Sequence, residues 1–117
     1  MNTAIKMEAI LDWIDVCKLD DLQTNSGICA LVNGQQLAIF YLPSENALYA
    51  IDNFDPIGKA NVLSRGIVGD IDGQIVVASP LYKQHFNLQS GVCLENDQTN
   101  VKTYPVRLNG TIVQVSC

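Results

Sequence analysis

The sequence predicts an all-β fold, an antiparallel barrel or sandwich with two long loops and little helix. Three observations lead there. Short apolar runs rich in β-branched residues recur along the chain, Gly-rich turns separate them, and two Asn-Gly pairs sit between such runs, which is the strongest short-range hairpin signal. At 117 residues, with 48% apolar and 16% charged side chains, the chain suits a single domain with one filled core. Residues 1–12 read as an N-terminal extension of that domain, and no internal repeat, heptad or low-complexity segment is evident.

Taken in order, residues 10–17 mix apolar and acidic side chains, with Trp13 placed to seal one edge of the core, and residues 18–22 read as a short helical turn or loop. Residues 28–32 and 36–42 are apolar runs on either side of Asn33-Gly34, hence a hairpin. Pro43-Ser44-Glu45-Asn46 turns the chain into a third strand, residues 47–51, and the three strands form an antiparallel meander. Residues 53–70 contain Pro56, Gly58, Gly66 and Gly69 and lack sustained periodicity. They read as a long loop with at most one helical turn near residues 60–63, and a long ordered loop in a small domain usually binds something. Asp72-Gly73 leads into strand 74–78, which stops at Ser79-Pro80 because proline removes a backbone donor. A second loop covers residues 81–85, followed by Phe86-Asn87-Leu88, the Ser90-Gly91 turn and a closing hairpin at Asn109-Gly110.

Charge and cysteine usage bound the function. The formal net charge is -5, and the Lys and Arg residues are spread along the chain, so neither nucleic acid nor an anionic membrane is an expected partner. The first residues lack the charged-then-apolar layout of a secretion signal, and no run approaches the roughly 20 apolar residues that span a bilayer, so the cytoplasm is the expected compartment. Cys17, Cys29, Cys93 and Cys117 form no close pairs and read as free thiols, the first two buried and the last two exposed. Asp52, Asp55, Asp70 and Asp72 lack the alternating ligands of a calcium loop and are explained by turn formation.

The order strand, Asp52-Asn53 loop, Leu63-Ser64-Arg65-Gly66, strand, Ser79-Pro80-Leu81-Tyr82, Phe86-Asn87-Leu88, Ser90-Gly91 resembles the Rieske iron-sulfur domain. In that family each loop supplies one Cys and one His, the second loop reading Cys-Pro-Leu-His. Here Ser79 stands at the Cys position and Tyr82 at the His position, and Asn53-Phe54-Asp55-Pro56-Ile57-Gly58 contains neither ligand type. A Rieske centre needs two thiolates and two imidazoles, so the resemblance implies the fold without the cluster.

Among ligand-less Rieske-like chains, the combination Ile51-Asp52-Asn53, Asn61-Val62-Leu63-Ser64-Arg65-Gly66 and Ser79-Pro80-Leu81-Tyr82-Lys83-Gln84-His85-Phe86 is similar to the small subunit of the cytoplasmic NAD(P)H-dependent nitrite reductase. The resemblance implies a non-catalytic accessory subunit in the reduction of nitrite to ammonium. It implies no cofactor on this chain, with FAD, sirohaem and an iron-sulfur cluster carried by the large subunit, which is the expected partner. The alternative is a cluster-less binding or regulatory module for another oxidoreductase. Candidate docking or vacant-cluster residues are Asn53, Asp55, Arg65, Ser79, Tyr82, Lys83 and His85. Ser79 and Tyr82 are expected to fill the vacant space with hydrogen-bonding groups, and Arg65 to brace its own loop rather than reach a partner. A single His without a second imidazole or a nucleophile makes His85 an unpromising metal ligand or general base.

Overall fold

The computed structural model describes residues 12–117. Four antiparallel sheets are built from β1 (Ile14–Lys18), β2 (Ser26–Val32), β3 (Gln35–Leu42), β4 (Ala47–Asp52), β5 (Phe54–Asp55), β6 (Ala60–Asn61), β7 (Ile67–Ile71), β8 (Gln74–Ala78), β9 (His85–Asn87), β10 (Thr103–Tyr104), β11 (Val106–Asn109) and β12 (Ile112–Val115). The central sheet has the order β10-β4-β3-β2; β1-β12-β11 and β7-β8-β9 form the outer sheets, and β5-β6 is a small hairpin. Among the described residues helix is confined to 3₁₀ turns at Leu19–Asp21, Pro43–Glu45 and Leu63–Arg65.

The central sheet is buried on both faces, which explains why β3 reads as a continuous apolar run rather than an alternating one. Ala38, Phe40 and Leu42 join Ile51, Leu63, Val77, Phe86, Leu88, Cys93 and Val101 in one apolar cluster. Leu37 and Ile39 point the other way and join Ala50, Tyr104, Val113 and Val115 in a second. Alternation thus sends successive residues of one strand into two different cores.

Turn chemistry sets the register. Asn33 and Gly34, with φ of 50° and 78°, connect β2 to β3, so Val32 pairs with Gln35 and Phe40 with Gly27. Asp72 and Gly73 repeat that geometry between β7 and β8, while the β11–β12 turn places Gly110 at φ 64°. A Cβ on Gly27 would lie 2.6 Å from the Phe40 ring and 2.7 Å from the Ser64 carbonyl oxygen, so only glycine lets the Leu63–Arg65 turn rest on β2.

The meander, both Asn-Gly hairpins and the turn at residues 18–22 are where the sequence places them. The stretch 53–70 is not one loop: it contains the β5–β6 hairpin, a 3₁₀ turn and a full strand, β7. β7 lies at a sheet edge, with Ile67 78% exposed, so its side chains are not sorted between core and solvent and the period-2 signal is lost. Two cysteines also change places. Cys93 is fully buried beneath the apolar cluster, and Cys29 is exposed because it sits on the edge strand β2. Trp13 is half-buried and lies under the Arg107 guanidinium, 4.2 Å from its ring centre. The extension assigned to residues 1–12 lies, apart from Asp12, outside the described residues.

Candidate functional site

The loop between β5 and β6 and the loop that leaves β8 meet at one end of the molecule and are built on the same turn. In Asp55-Pro56-Ile57-Gly58-Lys59 the Lys59 amide donates to the Asp55 carbonyl at 2.7 Å; in Ser79-Pro80-Leu81-Tyr82-Lys83 the Lys83 amide donates to the Ser79 carbonyl at 3.0 Å. Each turn has proline second and closes on a lysine in the left-handed region, φ 58° at Lys59 and 61° at Lys83. The side chain of each first residue caps its own turn. Asp55 Oδ1 accepts from the Ile57 and Gly58 amides at 2.8 and 3.0 Å, and Ser79 Oγ accepts from Leu81 at 3.3 Å. These are the local Asx- and Ser-type turns that short polar side chains favour.

The two first residues then lock to each other. Ser79 Oγ donates to Asp55 Oδ2 at 2.5 Å, with both side chains at most 1% exposed. A buried carboxylate is costly unless its lone pairs are filled, and these three donors fill them. Gly58 has room for no side chain: a Cβ there would lie 2.4 Å from the Leu81 methyl, so its absence allows the loops to close.

Behind this clasp Asn53, 2% exposed, ties the first loop to the central sheet. Its Nδ2 donates to Gln36 Oε1 at 3.1 Å and to the Cys29 sulfur at 3.5 Å, and its Oδ1 accepts from the Ser64 amide at 2.7 Å. Its carbonyl accepts from Val62 and Leu63, so one residue positions the whole Leu63–Arg65 turn.

The remaining candidates lie at the surface. Tyr82 is 66% exposed and makes no side-chain hydrogen bond among the described residues; it turns outward instead of filling the loop interior as expected. Ser79 alone supplies the interior donor. Arg65 is exposed and pairs with no carboxylate among the described residues, so the brace expected of it is supplied by Asn53. Lys83 is exposed, and with Arg65, Ile67, Ala78, Ser79 and Pro80 it lines a shallow hollow of about 350 Å³. His85 is held by Glu95: its amide donates to Oε1 at 2.7 Å and its Nδ1 faces Oε2 at 2.7 Å. Burial alone would raise the Glu95 pKa, but the His85 amide and ring together outweigh it and hold the carboxyl below its ordinary value. Gln84 Oε1 is buried without a donor among the described residues.

The aspartates behave largely as turn formers. Asp55 caps its loop, Asp70 accepts from the Gly73 amide at 2.9 Å, and Asp72 occupies the left-handed position of its hairpin. Asp52 differs, accepting from the Tyr104 hydroxyl at 2.5 Å; burial first, then this carboxylate, pushes the phenol pKa far up.

A Rieske cluster would need the leading residues of the two loops as thiolates on one iron and imidazoles from both loops on the other. Here the leading pair is a carboxylate and a hydroxyl already saturated by each other and by the backbone. Further along, Ile57 and Gly58 offer no donor atom and Tyr82 points to solvent. Among the described residues no three His, Cys, Asp or Glu side chains gather where a metal could be held. The residues present do not fit the cluster. The parallel Pro-second, Lys-fifth pattern of the two loops was legible in the sequence and is the signal that pairs Asp55 with Ser79.

Comparison with known proteins agrees with this geometry. The model of the Rieske-like [2Fe-2S] domain family matches residues 12–116. The nitrite reductase (NADH) small subunit of Salmonella typhimurium is 44% identical over 103 residues, 88% of this chain and 95% of that one. The solution structure of the Escherichia coli protein NirD superposes with a TM-score of 0.84 at 41% identity, covering 92% of this chain and 98% of that one. A 101-residue stretch of the nitrite reductase [NAD(P)H] large subunit of Klebsiella oxytoca is 39% identical, 86% of this chain but 10% of that protein. With its fold, its two facing loops and its hydrogen-bonded clasp, the chain belongs to the Rieske-like [2Fe-2S] domain family and, within it, to the nitrite reductase small subunits.

Proposed function

We propose that this chain is the non-catalytic subunit of a cytoplasmic NAD(P)H-dependent nitrite reductase, folded as one Rieske-like domain, and that its partner is the large subunit carrying FAD, sirohaem and an iron-sulfur cluster. Its contribution is structural: it packs on the large subunit and stabilises it or shapes access to those cofactors. The observation that carries the reading is the clasp. The loops that would deliver electrons in a Rieske protein are closed by Asp55 and Ser79, which leaves a rigid surface rather than a redox centre. The Klebsiella oxytoca large subunit, which contains a stretch similar to this chain, supports the choice of partner.

The test is to purify the large subunit with and without this chain and compare co-elution and NADH-dependent nitrite reduction. Stable co-elution with faster or longer-lived turnover supports the proposal. No association and unchanged turnover reject it.

A further inference from the structure

We infer that the face formed by the two clasped loops is the docking surface, and that its occupant is an acidic surface of the large subunit with an apolar centre. The inference rests on the subunit reading above and adds to it the face and the chemistry of the contact.

Two features of the loops point outward. The first is apolar. Phe54, Ile67, Leu81 and Tyr82 are 44%, 78%, 44% and 66% exposed, and they are most of the large apolar side chains that the described residues leave in solvent. All four lie on or directly beside the two loops. Exposed aromatic and aliphatic groups on a rigid support are what interface centres are made of. The second is charge. The chain as a whole is acidic, with a formal net charge of -5, yet Lys59 and Lys83 on the loops and Arg65 on the adjoining 3₁₀ turn all stand exposed. The single carboxylate on them, Asp55, is buried. On the flanking segments Asp52 and Glu95 are engaged by Tyr104 and His85. The loops and the adjoining turn therefore present three exposed cations and no exposed carboxylate, and the surface complementary to them is acidic.

The support is rigid. Asp55, Ser79 and Asn53 fix both loop backbones from inside, so docking orders little that is not already ordered. The occupant is the large subunit rather than a second copy, because a copy would bring its own cationic face against this one. In addition, a stretch similar to this chain is part of the large polypeptide in Klebsiella oxytoca.

The experiment measures binding of this chain to the purified large subunit as native protein, as the double variant Arg65→Glu/Lys83→Glu, and as Lys18→Glu/Arg107→Glu on the β1-β12-β11 sheet. The two doubles change net charge equally, and a thermal melt confirms that each is folded. The loop-face double is expected to weaken binding by about tenfold or more, with the control within about twofold, and native binding is expected to weaken as salt rises. Equal weakening by both doubles, or no weakening by the loop-face double, overturns the docking face while native binding keeps the subunit reading intact. Absence of native binding at low salt overturns both. Leu81→Ala, which removes no charge, is a second probe and is expected to weaken binding without altering its salt dependence.

Discussion

In the loop of residues 55–59 the capping side chain is a carboxylate that accepts every bond it makes, whereas in the loop of residues 79–83 it is a hydroxyl that accepts one bond and donates another. The backbones are alike, with the same five-residue closure, the same proline and a left-handed lysine at the end. Identical turns with complementary leading side chains can join tip to tip, and two identical side chains could not: two carboxylates would repel, and two hydroxyls would leave a backbone donor unmatched. Where the Rieske family places a metal cluster between its loops, this chain places one hydrogen bond between a donor and an acceptor. The remainder of the molecule holds together mainly by apolar burial on both faces of the central sheet.

That contrast can be broken from either side, and the carboxylate side is the more costly. Asp55→Ala removes the acceptor of the part-buried Ile57 and Gly58 amides and of the buried Ser79 hydroxyl. It is expected to destabilise by about 3 kcal/mol or more in urea unfolding. Ser79→Ala removes one donor and leaves the carboxylate with its two amides, so the expected loss is smaller, about 2 kcal/mol by the same measurement.

Acid acts on the rim through Glu95. The Glu95 carboxyl is held below its ordinary value of 4.5 by His85, so its contribution is complete above that value and disappears as pH falls through the lowered folded-state value. The group is largely solvent-exposed, and the effect is correspondingly small. Glu95→Gln is expected to flatten the part of the stability profile below pH 4.5 and to lower neutral stability by the same small amount. The smallest expected effect is that of Arg65→Glu/Lys83→Glu on folding, within about 0.5 kcal/mol, since neither side chain holds the loops together. Stability insensitive to these exposed cations, set against stability sensitive to Asp55, would sharpen the separation of inner clasp from outer surface.

Legibility in the sequence follows the same division. The hairpins signalled by Asn33-Gly34 and Asn109-Gly110 are readable because a two-residue loop demands special backbone angles that few residues tolerate, although the second loop is Gly110-Thr111, with Asn109 ending β11. The strand β7 is not legible from period because its residues lie at an edge, where burial does not sort side chains, although Asp72-Gly73 signals a hairpin whose first arm it is. The candidate residues were found through the Rieske-like resemblance, which locates the loops but not the direction of each side chain. Asn53, Asp55 and Ser79 turn inward because buried backbone donors need acceptors there; Tyr82, Arg65 and Lys83 find no such demand and face water. The pairing of His85 with Glu95 spans a turn whose course nothing local in the sequence reveals. Cys29 and Cys93 exchanged their expected burial for a similar reason, since small apolar residues are tolerated at an open edge as readily as in a core.

The claim that a hydrogen bond does the work of the missing cluster is tested most directly by a double-mutant cycle on Asp55→Ala and Ser79→Ala, read by urea unfolding. The account gives a coupling energy of about 1.5 kcal/mol or more between the two positions. Strict additivity, with each substitution costing the same whether or not the other is present, would contradict it.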